Sequence, residues 1–242
     1  MQNMQMHSKF HAVVLGSSLI IGLGLLGWLL GKATIDFKSF ERTVTVKGLA
    51  EKEVKADVVI WPIRFSIADN DLETLYKTLD RNSGKISDFL KSSGIAAQDV
   101  SFSSPAITDK LAQQYGNQNQ AQFRYTATQT VTVYSKDIDL VRTLQSRLSE
   151  LGKQGIVITG GNYESRTEYL FTQLNDIKPA MVEEATQNAR EVAQKFAKDS
   201  SSVLGKIKSA SQGQFSIVSR DNNTPYIKKV RVVSTITYYL SD

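Results

Sequence analysis

The strongest constraint on this chain is an uncharged apolar run near its amino terminus. Residues 12–31 read AVVLGSSLIIGLGLLGWLLG, without any Asp, Glu, Lys or Arg. A helix rises about 1.5 Å per residue, so roughly 20 such residues cross a hydrocarbon core of about 30 Å. We therefore predict a transmembrane signal anchor at residues 12–31, preceded by a short cytoplasmic tail at residues 1–11.

Within this anchor, large apolar side chains are expected to meet lipid, with the tryptophan near the outer interface. They are Val13, Leu19, Ile20, Leu25 and Trp28. A cleaved signal peptide is the alternative, because Gly31 and Ala33 are small residues spaced like a cleavage site. Apolar regions of signal peptides span about 7 to 15 residues, which favours an uncleaved anchor.

The position of the anchor also predicts where the rest of the chain resides. A short leader before one apolar segment usually directs export of the downstream chain, and long domains translocate largely regardless of charge. We therefore expect a single pass through the inner (cytoplasmic) membrane, with the body in the periplasm or outside the cytoplasm. The lipid bilayer is accordingly the first expected partner.

The body, residues 42–242, lies after a tether at residues 32–41 and has the composition of a folded domain. Apolar residues make up 41% of the chain, which is enough for an ordinary core. The net charge of +5 comes from 29 basic and 24 acidic residues mixed throughout, which hints only weakly at anionic partners. We interpret the cluster Lys228, Lys229 and Arg231 as a solvated strand edge that discourages strand addition rather than as a nucleic-acid site. We therefore expect no nucleic-acid partner.

Hydrophobic periodicity in the body alternates between strand pairs and helices. Helical patterns occupy about residues 70–94, 137–151 and 176–198, and strand patterns lie before, between and after them. The order ββα-ββα-ββα-ββ predicts an α+β fold in which helices cover one face of antiparallel sheet. In the third helix, the predicted inward side chains are Ile177, Met181, Ala185, Ala189, Val192 and Phe196.

The stretch VKADVVIWPIRFSI, residues 54–67, changes its apolar parity. Val54, Ala56, Val58 and Ile60 share one face, whereas Trp61, Ile63, Phe65 and Ile67 share the other. Because side chains alternate strictly along a strand, and proline cannot donate to a sheet ladder, we predict a strand bulge at Trp61 and Pro62. Asp57 is interpreted as a residue at the start of a strand, bonded to a turn.

The inventory of reactive side chains argues against catalysis. Cysteine is absent, and the two histidines, His7 and His11, lie before or at the anchor. A Ser-His-Asp triad, a Cys-His pair and nearly every zinc site are thereby excluded from the body. The carboxylate pairs Glu164 with Glu168 and Glu183 with Glu184 lie in no motif and are interpreted as solvated charge. We predict that the protein is not an enzyme and needs no cofactor or metal.

Several segments of the body carry short motifs of glycine and aspartate. In VTVKGLAEKEVKADVV, Gly48 and Asp57 match a strand ending in G-x-G followed by P-D-x-A. In GIAAQDV, Gly94 and Asp99 match G-I-x-x-x-D-I, and Gly205 matches the Leu-Gly that ends an Ala-rich helix. Together these segments resemble the SIMPL-domain family of bacterial periplasmic immunogenic and oxidative-stress proteins. The second glycine, the proline and the alanine of the first motif are replaced here. With the anchor, these departures indicate a divergent membrane-bound branch.

The resemblance implies an exported α+β domain that self-assembles, in some members into ring- or channel-like homo-oligomers, with no established catalysis. It implies structural roles for the matched positions and an association with envelope or oxidative stress. Our leading hypothesis is a membrane-tethered homo-oligomer that associates through sheet edges and the Ala-rich helix, with an unidentified envelope protein as a further partner. The alternative is a binding module for a small molecule or partner protein, with Trp61 and Tyr125 as aromatic contacts. An enzyme is the third hypothesis.

Overall fold

The computed structural model describes residues 2–39, 42–112, 122–160 and 165–241, and, within the first helix, the side chains of residues 15–34. Its helices are α1 (Gln2–Ser39), α2 (Leu72–Ser92), α3 (Ile138–Ser146), α4 (Ser149–Lys153) and α5 (Leu174–Asp199). Its strands are β1 (Thr43–Lys55), β2 (Val58–Asp69), β3 (Val100–Phe102), β4 (Ala106–Asp109), β5 (Tyr125–Ser135), β6 (Val157–Ile158), β7 (Glu168–Leu170), β8 (Val203–Gln212), β9 (Ser216–Ser219) and β10 (Ile227–Ser241). The predicted α+β class with antiparallel strands is confirmed.

The chain divides into two compact units. Unit 1 comprises Met1–Ala50, Pro179–Phe215 and Arg231–Asp242, and unit 2 comprises Glu51–Lys178 and Ser216–Val230. The chain passes from one unit to the other at four places: within β1, within α5, between β8 and β9, and within β10.

Unit 1 combines one face of a sheet with an alanine stripe on α5. In this sheet β10 lies between β1 and β8. The buried residues of α5 are Met181, Ala185, Ala189, Ala193 and Ala197. At Gly48 the two elements come so close that an added Cβ would lie 1.8 Å from the carbonyl oxygen of Ala185. The small side chains of α5 therefore allow the helix to pack closely against the sheet within unit 1.

The predicted inward positions of Val192 and Phe196 are wrong. Phe196 is 55% exposed, whereas Ala193 and Ala197 are buried. Steps of four residues from Met181 lead to these alanines, and the larger neighbours would not fit where the strand backbone approaches the helix.

Unit 2 contains the larger hydrophobic core. Its sheet has the order β3-β5-β2-β6, with β4 paired to β5 and β7 paired to β2. Helices α2 and α3 pack against this sheet. The core is formed by residues that include Val59, Trp61, Ile63, Phe65, Ile86, Leu90, Val131, Val133, Val141 and Leu144.

The predicted bulge at Trp61 and Pro62 is wrong. Residues from Val59 to Asp69 pair with β5 in one unbroken register, without a shift. The apolar residues change from one face to the other for another reason. Val58 and Val59 are both buried, so both faces of the sheet are covered where β2 begins. Beyond this point only the face of Trp61 remains fully buried.

Pro62 is accommodated by a gap on one side of β2. On that side β7 pairs with Val58–Ile60 and β6 pairs with Phe65–Ser66. Among the described residues, no strand pairs with Pro62 on that side. A backbone N–H at this position would have no strand carbonyl to bind there, so a proline costs no sheet hydrogen bond. The proline therefore needs no bulge.

One predicted element is divided in the structure. The helix expected over residues 137–151 consists of α3 and α4.

The amino-terminal helix is longer than the predicted anchor. It runs to Ser39, so most of the expected tether is helical. Among the described residues, one helical segment, Leu15–Thr34, is long and apolar enough to cross a bilayer. Leu19, Ile20, Leu25 and Trp28 are at least 55% exposed there; the side chain of Val13 lies outside the described part. Such a segment fits a membrane anchor or a signal sequence.

Candidate ligand-binding cleft

A cleft of about 560 Å³ lies within unit 2. It is formed by β7 and its flanking residues, by β9, and by the start of β10. The lining residues are Arg166, Thr167, Glu168, Tyr169, Leu170, Phe171, Thr172, Ile217, Ser219, Pro225 and Lys228. This volume is in the usual range for small-molecule sites.

Lys228 is the buried cation of the cleft, since only 8% of its surface is exposed. Its Nζ donates to the Ser219 hydroxyl at 2.9 Å. The Ser219 hydroxyl in turn donates to the Pro225 carbonyl over a longer distance of 3.4 Å. The oxygen of this hydroxyl therefore accepts the hydrogen bond from Lys228 with one of its lone pairs. Burial lowers the pKa of Lys228, and the charge of Arg166 lowers it further, against an opposing effect of Glu168.

The interpretation of Lys228, Lys229 and Arg231 as a solvated edge is wrong. Strand β10 is central in its sheet, and Lys228 is buried. Lys229 points to the opposite face, where its Nζ lies 2.8 Å from a carboxylate oxygen of Glu51. The strand alternation separates the two lysines. A signal for this was present in the sequence, because Lys228 shares its parity with the buried Val230 and Val232.

The turn between β9 and β10 holds this side of the cleft. Arg220 donates its backbone N–H to the carbonyl of Ile227 at 2.9 Å. The Asp221 carboxylate accepts the backbone N–H groups of Asn223 at 2.8 Å and Thr224 at 2.7 Å. Hydrogen bonds from Thr224 and Arg220 hold the pKa of Asp221 well below its ordinary range. The turn is therefore stabilised by an ionised carboxylate.

Asp57 holds the other side of the cleft. Its carboxylate accepts hydrogen bonds from the backbone N–H and hydroxyl of Thr172 and from the N–H of Gln173, all at 2.9 to 3.1 Å. The adjacent backbone is also fixed, because Ala56 donates to the carbonyl of Tyr226 and Asp57 to that of Leu170. Asp57 therefore has a structural role, which positions the end of β7.

The other matched positions lie elsewhere and serve the backbone. Gly94 ends α2 with a φ of +98°, a conformation that favours glycine. At Gly205 an added Cβ would lie 3.0 Å from the carbonyl oxygen of Tyr239. Asp99 is half-buried in a 3₁₀ turn, Ala97–Asp99. Gly48 meets α5 within unit 1. None of these four lines the cleft.

The two aromatic residues proposed as ligand contacts are not in the cleft. Trp61 is 3% exposed and belongs to the main core of unit 2. Tyr125 packs in a separate cluster with Leu75 and Leu79. The structure therefore does not bring these rings together at a binding surface.

The cleft is equipped to hold a polar group beside an apolar one. It presents the cations Arg166 and Lys228, the carboxylate of Glu168, and the hydroxyls of threonine and serine. Leu170, Phe171 and Ile217 supply apolar surface. Across the described ranges, no group of three or more carboxylate or imidazole side chains has the arrangement of a metal site.

These features define an α+β domain with a small cationic cleft, attached to an amino-terminal apolar helix. A family model, SIMPL, described as a protein of unknown function (DUF541), matches residues 44–236. The chain therefore belongs to the SIMPL family, as its motifs indicated. A search of curated proteins found no match.

Proposed function

We propose that this protein is a non-enzymatic, membrane-anchored envelope protein that self-assembles into a homo-oligomer. The observation that carries the proposal is the exposed edge of β8. This strand pairs with β10 on one side, and no strand within the described residues pairs with its other side. Val203 is 61% exposed and Ile207 is 49% exposed along it. An open edge of this kind is a template for strand addition.

The regular part of β8 is the segment best suited to pairing. Residues 209–212 pair with β10 in constant register, whereas the register shifts on approaching Val203. The alanine stripe of α5 is buried within unit 1, so it does not contribute to our proposed interface. Confinement to a membrane raises the effective concentration of subunits, which makes a short interface sufficient.

Light scattering of the detergent-solubilised full chain, and of a truncated protein beginning at Lys38, tests the assembly. We expect both masses to exceed that of a monomer. Ala210→Glu should reduce the mass, because it places charge at the exposed edge in the regular part of β8. Val157→Glu, at a site 60% exposed in unit 2, is the matched control and should leave the mass unchanged. Monomers in both preparations would contradict self-assembly.

Cross-linking tests the location of the interface. Because the chain has no cysteine, Ala210→Cys introduces a single thiol at the β8 edge. We expect oxidation in native membranes to give a disulfide-linked dimer, and Val157→Cys to remain monomeric under the same conditions. The reverse pattern would place the interface elsewhere.

We further propose that α1 is an uncleaved anchor in the inner membrane, with the body in the periplasm. The exposed apolar segment Leu15–Thr34 supports this proposal, as does Lys32, whose Nζ lies 5.5 Å from the ring centroid of Trp28 near the end of that segment. In spheroplasts, a membrane-impermeant maleimide should label Val157→Cys but not Gln5→Cys. The intact mass of the mature protein, measured by mass spectrometry, should include residues 1–31. A mass that lacks these residues would identify a cleaved signal peptide. A link to envelope or oxidative stress rests on the family resemblance alone.

A second candidate function is a periplasmic binding module for a small molecule or partner protein. The cleft of unit 2 favours it, because a buried lysine lies within a cavity of suitable volume. This function does not exclude self-assembly. Saturation-transfer NMR with a panel of small molecules tests the small-molecule function, and absence of any binding would dismiss it.

A further inference from the structure

We propose that the cleft of unit 2 binds a small organic carboxylate, with the carboxylate held by Lys228 and Arg166 and an apolar body against Leu170, Phe171 and Ile217. This inference rests on the second candidate function, the binding module, and is independent of self-assembly. It names the chemical class of the ligand.

The argument begins with the charge of Lys228. An ammonium group has three N–H donors, and burying it without a counter-charge is costly. Nζ donates to the Ser219 hydroxyl at 2.9 Å, which uses one of its three donors. Glu168 also lines the cleft and favours the charged form of Lys228, but its effect is smaller than those of burial and of Arg166. A bound anion would supply a further counter-charge and accept the remaining donors.

The second step concerns the other charges of the cleft. Arg166 also lines it, and its charge acts on Lys228 in the direction expected of a second cation nearby. Glu168 acts in the opposite direction. Among the described lining residues, two cations against one carboxylate give a net charge of +1, which matches a singly charged head better than a doubly charged one.

The third step concerns the body of the ligand. Leu170 and Ile217 are 39% and 38% exposed, and both face the cleft with Phe171 and Pro225. Covering this surface with an apolar group would remove it from water. A volume of about 560 Å³ admits a molecule well beyond the size of acetate. The cleft therefore fits a carboxylate that carries a hydrophobic substituent.

The test uses the full chain in phosphatidylcholine nanodiscs and a matched pair of probes. The first probe is 3-phenylpropanoate, and the second is its neutral analogue 3-phenylpropanamide. Affinities are measured by isothermal titration calorimetry, with saturation-transfer NMR for weak binding. We expect the carboxylate to bind about tenfold more tightly than the amide, as one charge-assisted contact typically gives.

Two neighbouring lysines provide the variant and its control. Lys228→Met keeps the length of the side chain and removes its charge, and should weaken 3-phenylpropanoate binding about tenfold. Lys229→Met removes an equal charge from the opposite face of β10 and should change affinity less than about twofold. If Lys228→Met does not fold, as judged by circular dichroism, Arg166→Gln at the rim replaces it and should also weaken binding.

The outcomes separate this inference from the function on which it rests. Equal affinity for the amide and the carboxylate, or unchanged affinity in Lys228→Met, would overturn the carboxylate site while leaving a binding module. If neither probe nor any member of the small-molecule panel bound up to about 10 mM, the inference and the small-molecule binding function would both fail.

Discussion

Asp57 binds the backbone and the hydroxyl of Thr172, a residue 115 positions away in the sequence, at 2.9 to 3.1 Å. This contact connects the bend between β1 and β2 to the segment that leads from β7 into α5. It holds the end of β7, and thereby one side of the cleft. One carboxylate therefore stabilises both the topology of unit 2 and its candidate site.

Replacing Asp57 by alanine should destabilise the protein. The substitution leaves the N–H groups of Thr172 and Gln173 without their acceptor, and hydrogen bonds to a charged group contribute about 1.5 to 3 kcal/mol. Urea denaturation of the full chain in detergent, followed by circular dichroism, measures the loss. Asp88→Ala, at an exposed acid on α2, is the control and should cost much less. Equal losses in both variants would contradict the assigned role.

Two glycines should respond to alanine in opposite ways. In Gly48→Ala the new Cβ would lie 1.8 Å from the carbonyl oxygen of Ala185, so the strand and α5 must separate, at a cost of about 3 kcal/mol. Gly84 lies within α2 with nothing within 4 Å of an added Cβ. Gly84→Ala should therefore stabilise the protein by about 0.5 to 1 kcal/mol. Thermal unfolding of both variants tests this contrast, and similar shifts in the two would contradict the close approach.

The buried Lys228 should make stability rise with pH in the alkaline range. Burial and Arg166 lower its pKa in the folded protein below the ordinary value of 10.5. Between those two pKa values the unfolded chain binds more protons, so raising the pH favours folding. Lys228→Met should be more stable than the native protein at neutral pH, and this difference should shrink toward pH 10.5. A pH-independent difference, measured by urea denaturation, would contradict burial of the ammonium.

The turn at Asp221 should contribute to loss of stability in acid. Hydrogen bonds from Thr224 and Arg220 lower the pKa of Asp221 from its ordinary value of 3.8. Their contribution is present above that value and is lost as the pH falls toward the folded pKa. Asp221→Asn should therefore flatten the dependence of the unfolding midpoint on pH below about 4. Parallel profiles for the native protein and the variant would contradict this contribution.

Residue chemistry predicted much of the fold but little of the candidate site. Hydrophobic period identified the helices, and Gly94 marked where α2 ends. The prediction of a bulge at Pro62 was wrong because the pattern of apolar residues shows which side chains are apolar, but not whether one or both faces of the sheet are buried. The cleft was missed because its lining comes from segments near residues 170, 218 and 228, which only folding brings together.

The sequence by itself determined the family, the α+β class and the apolar amino-terminal helix. These depend on local order, period and composition, which folding does not change. Only the tertiary structure decided that Lys228 is buried while Lys229 pairs with Glu51, and that Asp57 meets Thr172. Such contacts depend on which distant segments become neighbours, and this is set by the packing of the whole chain.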